Sequence, residues 1–185
     1  MGRAIKKSFT LIELIIAVGI ISLVLPPVFN IFFSMMRQQL ILISYQTMKR
    51  QGDSAQKNIV NILQNRAAYI TDSAYTATDV CPLPLTPTPT YSPDIYIKDR
   101  GGNSIHLYQK TISATANIIA SYSANMDKTF NLTSTDVSIS DLGFSCYLVN
   151  EFSPPVVSTT FTVYKSTAFK ETSLPYYFEV RLKNY

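Results

Sequence analysis

The chain has 185 residues, of which 46% are hydrophobic and only 15% charged, against roughly a quarter charged in an average soluble domain. That composition excludes a disordered chain, and the length allows about one domain. The net charge of +4 is concentrated at Arg3, Lys6 and Lys7, and after residue 8 the balance is 13 basic to 12 acidic residues. No basic face is left for a phosphate backbone, so nucleic acid is not an expected partner.

Residues 9–36 form an apolar run whose one ionisable residue is Glu13, and Leu14–Phe33 is twenty residues without a charge. As a helix those residues span about 30 Å, the thickness of a bilayer's hydrocarbon core. A cleaved secretory signal would be shorter and would end in small-residue cleavage chemistry, which is lacking here. A plain membrane anchor fits the hydropathy but leaves Glu13 unexplained. A carboxylate at the centre of such a helix costs about 2.5–3.5 kcal/mol, less near its end, and so marks a functional position that needs a cationic partner. A free amine at Phe9, four residues away, would serve, from the same chain or a neighbour. Arg3, Lys6 and Lys7 before the run favour an N-terminus on the cytoplasmic side, although Arg37, Lys49 and Arg50 follow it. Pro26 and Pro27 remove helical hydrogen bonds and crowd the preceding turn, which predicts a kink near Leu23–Pro27.

From Arg37 the apolar positions recur every three or four residues, through Ile41, Tyr45, Met48, Gly52, Ala55, Ile59 and Ile62. This spacing predicts an amphipathic stem helix over 37–71, its stripe packed on the protein's own sheet in the C-terminal half. Residues 72–93 contain five prolines between Cys81 and Pro93 and read as a stiff extended linker from stem to head. Residues 94–185 alternate in period two and read as a mostly antiparallel β head. Ile95–Ile97 and Ile105–Tyr108 flank a Gly101-Gly102 hairpin turn. Further strands are expected at 118–123, 129–132, 137–139, 144–149, 160–164 and 177–182. The fold class is therefore α+β, with one helix stripe covering one face of the sheet.

Cys81 and Cys146 lie 65 residues apart, a spacing that suits neither a zinc site nor a C-x-x-C pair. In an exported domain they read as one long-range disulfide, and otherwise as two buried thiols. Catalysis finds little support. His106 is the one histidine, and it sits in a predicted strand. Asp94 with Asp99, and Asp136 with Asp141, lack the spacing of a calcium loop. No metal, cofactor or catalytic residue is expected.

Lys6-Lys7-Ser8 followed by Phe9-Thr10-Leu11-Ile12-Glu13-Leu14 resembles the class III signal of type IV pilins and type II secretion pseudopilins. Ser8 stands where that family usually has Gly. The resemblance implies a leader at 1–8, cleavage between Ser8 and Phe9 by a prepilin peptidase, N-methylation of Phe9, and an assembly role for Glu13 in the helix over 9–36. It implies partners among other pilin subunits and an inner-membrane assembly platform. The location would be the bacterial inner membrane, single-pass with the C-terminal domain outside the cytoplasm, and then a periplasmic or cell-surface filament. It also leaves room for calcium in the head. The Gly-Gly hairpin, the Leu142–Tyr147 strand and the closing Phe178–Leu182 strand resemble the J-type minor pseudopilins, and type IV minor pilins share that layout. The expected function is a structural, minor filament subunit. The alternatives are a tip adhesin or DNA-uptake pilin, and an unprocessed membrane-anchored β domain.

Overall fold

The computed structural model describes residues 10–76, 81–83, 90–113, 116–123, 128–166 and 171–183. A helix α1 (Leu11–Asn61) is followed by a π-helical turn (Ile62–Arg66) and by strands β1 (Ala67–Thr71), β2 (Asp94–Asp99), β3 (Ser104–Ser113), β4 (Ala116–Ser123), β5 (Lys128–Asn131), β6 (Ser138–Tyr147), β7 (Val156–Ser166) and β8 (Glu171–Arg181). The first five strands make an antiparallel meander in the order β1-β2-β3-β4-β5, and the last three a second antiparallel sheet, β6-β7-β8. The α+β class expected for the chain is what the structure has. Two compact units divide at residues 42 and 43.

The first unit contains the N-terminal part of α1. Its side chains from Leu11 to Met36 are exposed. The helix carries one apolar window of mean hydropathy 2.5, none of it buried, long and apolar enough to cross a membrane. Helical structure continues through Pro26 and Pro27, where the carbonyls of Ser22 and Leu23 receive no N–H from four residues on, because proline has none.

The second unit is built around the rest of α1. Ser44, Met48, Gly52, Ala55 and Ile59 are its buried positions, three or four residues apart and hence on one face. Met48, Ala55, Ile59 and Leu63 share one core with Ile97, Leu107 and Ile119 of the meander and with Ile139, Phe144, Val157, Phe161 and Val163 of the second sheet. Apart from Ala55, each such side chain contributes about 1.5–3 kcal/mol on burial. Ser134 N–H donates to Gln51 Oε1 at 3.2 Å, and the Tyr176 hydroxyl reaches Lys49 O at 3.1 Å and Asp53 Oδ1 at 3.0 Å. Burial, then the Asp53 carboxylate, push the Tyr176 pKa up.

Gly52 is a close approach of helix to sheet, because a Cβ there would overlap the Tyr176 ring. On an exposed helix face Gly→Ala would stabilise by about 1 kcal/mol. Here Gly52→Ala is expected to reverse sign and cost about 1–3 kcal/mol through overpacking. Urea unfolding of the full chain in detergent micelles measures it, and an unchanged or raised midpoint would contradict the packing.

The helix ends earlier than its apolar spacing predicts. Ala67–Thr71, expected as the last turn of the stem helix over 37–71, is β1, pairing Ile70 with Ile97 and Thr71 with Tyr96. Tyr69, Ile70 and Thr71 suit a strand better than a helix, and an adjacent β2 edge decides it. The consequence is a second correction. Residues 72–93 do not join stem to head; they connect β1 to β2 within one sheet. The expected strands at 137–139 and 144–149 are a single strand, β6. Its ladder shifts by one residue between Ser140 and Gly143 opposite Thr162 and Thr160, a β-bulge at which Asp141 has φ 54°. The hairpin stands at its predicted place, with Gly102 at φ 77° and Gly102 N–H donating to Asp99 O at 3.1 Å.

Candidate processing and assembly site

The helix begins at a capping box. Thr10 precedes the first helical residue, and Glu13 three positions on reaches back to it. The Thr10 N–H donates to Glu13 Oε2 at 2.9 Å, the Thr10 hydroxyl donates to the same oxygen at 2.9 Å, and Glu13 N–H approaches Thr10 Oγ1 at 3.4 Å. Thr-x-x-Glu ahead of an apolar run is a recognisable helix start, in which each side chain satisfies a backbone N–H left over by the first turn. The carboxylate therefore sits where the helix dipole favours negative charge. Glu13 Oε1 has no partner among the described residues, which leaves one oxygen able to accept from a further donor. Ser8 and Phe9, and the leader over 1–8, lie outside the described residues. The T-x-x-E spacing of Thr10 and Glu13 is readable in the sequence, where the apolar residues around it mask the capping signal.

The other singled-out residues lie in the second unit. Cys81 and Cys146 are joined as a disulfide, with Cα atoms 5.2 Å apart. Nearby, Leu148 N–H donates to Pro82 O at 3.0 Å, while Ser92 and Phe144 exchange backbone hydrogen bonds of 2.8 and 2.7 Å. The described ends of the proline-rich connection are thus both fastened to β6.

The two aspartates at the ends of β2 take separate partners. Asp99 closes the hairpin by accepting from Asn103 N–H at 2.8 Å and from Asn103 Nδ2 at 2.6 Å. Asp94 accepts from Ser92 Oγ at 2.9 Å and Tyr96 Oη at 3.0 Å, with His106 Nε2 at 3.3 Å. Burial raises the Asp94 pKa, but the hydrogen bonds from Ser92, Tyr96 and His106 together outweigh it and hold the carboxyl below its ordinary value. His106 is stacked between Tyr96 and Tyr108, ring centres 4.2 and 4.6 Å away, as cross-strand pairing of Tyr96 with His106 requires. Asp136 accepts from Ser134 Oγ at 3.0 Å and Asp141 from Ser140 Oγ at 2.8 Å. These are local turn and bulge contacts.

Among known proteins, the family model for the prokaryotic N-terminal methylation motif matches residues 3–25. No curated protein and no solved structure matches the chain. The matched segment contains the capping box and the first apolar turns of α1, and the pilin-type motif points to a structural subunit rather than an enzyme. An unburied apolar helix that begins within that motif fits membrane anchoring. Residues 3–25 therefore carry the prokaryotic N-terminal methylation motif, the class III signal found in type IV pilins and pseudopilins.

Proposed function

We propose that the chain is inserted into the bacterial inner membrane with its head outside the cytoplasm, clipped between Ser8 and Phe9 by a prepilin peptidase, and methylated on the new Phe9 amine. It is then incorporated as a minor subunit of a type IV pilus or type II secretion pseudopilus. The observation that carries this reading is the methylation motif at residues 3–25 on an apolar helix whose first turn holds Glu13. The capped carboxylate keeps an oxygen for the Phe9 amine, of the same or an adjacent subunit. Pairing of the two offsets the penalty of a lone charge among apolar stems and sets subunit register. Bending of the stem is assigned to Pro26 and Pro27. The minor role rests on the resemblance of the 142–147 and 178–182 strands to the J-type group.

Intact mass and the N-terminal peptide, with and without a co-expressed prepilin peptidase, test the processing step. The expected product lacks residues 1–8 and carries one methyl group on Phe9. Ser8→Trp is expected to keep its leader, because a bulky side chain beside the scissile bond blocks approach of the peptidase. An unprocessed Met1 start in the presence of active peptidase would instead leave a membrane-anchored β domain.

A further inference from the structure

The second unit contains a cavity of about 690 Å³ between the Thr71 and Asp94 ends of the meander and the Phe144–Tyr147 part of β6, with Tyr177 and Glu179 of β8 closing it. That volume lies within the range of small-molecule sites. No part of the assembly mechanism uses it.

Its chemistry is one-sided. Asp94 and Glu179 both line it, and no basic residue does among the described residues. The contacts that neutral groups make to these carboxylates are hydroxyl hydrogen bonds. Ser92 and Tyr96 donate to Asp94, and Ser158 and Tyr177 donate to Glu179 at 3.1 and 2.6 Å. Hydroxyls orient a carboxylate without cancelling its charge. His106 stands against Asp94 and Arg181 acts on Tyr147, but neither lines the cavity. The Thr71 hydroxyl in the wall is buried and without a hydrogen-bond partner among the described residues, an arrangement that costs free energy until a partner arrives. Phe144, Tyr147 and Tyr177 are also among the lining residues, and aromatic rings attract cations.

We propose that this cavity binds a cationic nitrogen, a primary ammonium or a guanidinium, carried by a small amine or by a basic residue of a peptide. Two fixed carboxylates repel an anion and give a neutral polyol no charge to match, whereas a cation gains from both acids and from the rings. The site belongs to the head alone and stands or falls separately from processing and assembly.

The full chain in detergent micelles is titrated by calorimetry at physiological ionic strength, with 1,5-diaminopentane in one series and an acetylated, amidated Gly-Lys-Gly peptide in the other. Saturable one-to-one binding of either is expected, and the tighter series identifies the source. Glu179→Gln and Asp94→Asn keep an oxygen for the neighbouring hydroxyls and remove the charge. Each is expected to weaken binding roughly tenfold or more, as loss of a charged hydrogen-bond partner does. Glu179 is exposed, so its substitution leaves the core intact. The proposal is overturned by absence of saturable binding to the wild-type chain in both series. Equal affinity in wild type and Glu179→Gln overturns it too, as does saturable binding of glucose with neither cation bound.

Discussion

Glu13→Gln is expected to reach the membrane at the wild-type level and to be incorporated into filaments roughly tenfold less or worse, on the scale of the charge effects at such positions. The geometry of the first turn makes this substitution sharper than Glu13→Ala. Glu13 does two things at once: its Oε2 accepts from the Thr10 N–H and hydroxyl, and its charge is available to an amine. Glutamine retains the first property, since Gln closes a capping box as Glu does, and loses the second. Alanine loses both, including the hydrogen bonds back to Thr10 that close the capping box. Thr10→Val is the complement: it keeps the carboxylate and removes the hydroxyl that orients it. If charge pairing sets register, Gln and Ala fail alike while Thr10→Val is only partly impaired. If the capped turn is what matters, Gln assembles normally and both Ala and Thr10→Val fail. The measurement is the ratio of subunit in sheared filaments to subunit in membranes, by immunoblot, for the four chains. Normal incorporation of Glu13→Gln would remove the charge from the mechanism.

The head was legible in the sequence wherever one face of an element is buried and the other is not. Ile95 and Ile97 on β2, and Ile105 and Leu107 on β3, are buried while Tyr96, His106 and Tyr108 between them are half-exposed. Period two was therefore written in the residues, and Gly101-Gly102 marked the turn. The helix stripe through Met48, Gly52, Ala55 and Ile59 was equally plain. Where the structure departs from the local sequence pattern, a long-range contact outweighs a local preference. Ala67 and Ala68 are good helix formers, and only pairing with Asp99 and its neighbours, some thirty residues away, turns them into a strand. Prolines between Cys81 and Pro93 look the same whether they join two bodies or two strands of one sheet. Ser140-Asp141-Leu142 looks like a break between strands because it is a bulge, with Asp141 bent into a left-handed conformation that Asp tolerates better than most residues. The cavity was invisible for another reason. Thr71, Asp94, Tyr147 and Glu179 come from four strands and share no spacing; only the packing of two sheets brings them together.

Removal of the Cys81–Cys146 bond is expected to be the costliest single change in the head. The bond closes a loop across a separation of 65 residues, and loop-closure entropy for that length gives about 4 kcal/mol, an upper value if the reduced chain stays compact. It also acts in company. Cys81 precedes the backbone contact of Pro82 O with Leu148, and Cys146 lies between the Phe144 and Leu148 partners of the same connection, so β6 and the residue just after it hold that connection at three neighbouring points. With the covalent point removed, Pro82 O and the Ser92 bridge must hold the segment by hydrogen bonds, each contributing only about 0.5–1.5 kcal/mol net. The Cys81→Ser, Cys146→Ser double variant is the appropriate chain, because a single substitution leaves a reactive thiol. Its urea unfolding midpoint in detergent micelles should fall by an amount corresponding to about 2–4 kcal/mol. Reduction of the wild-type chain should reproduce that fall, and reduction of the double variant should add nothing to it. Titration of the unfolded, non-reduced wild-type chain should find no free thiol. Two thiols per chain, or a double variant as stable as the wild type, would leave the attachment to β6 to the hydrogen bonds of Pro82 and Ser92.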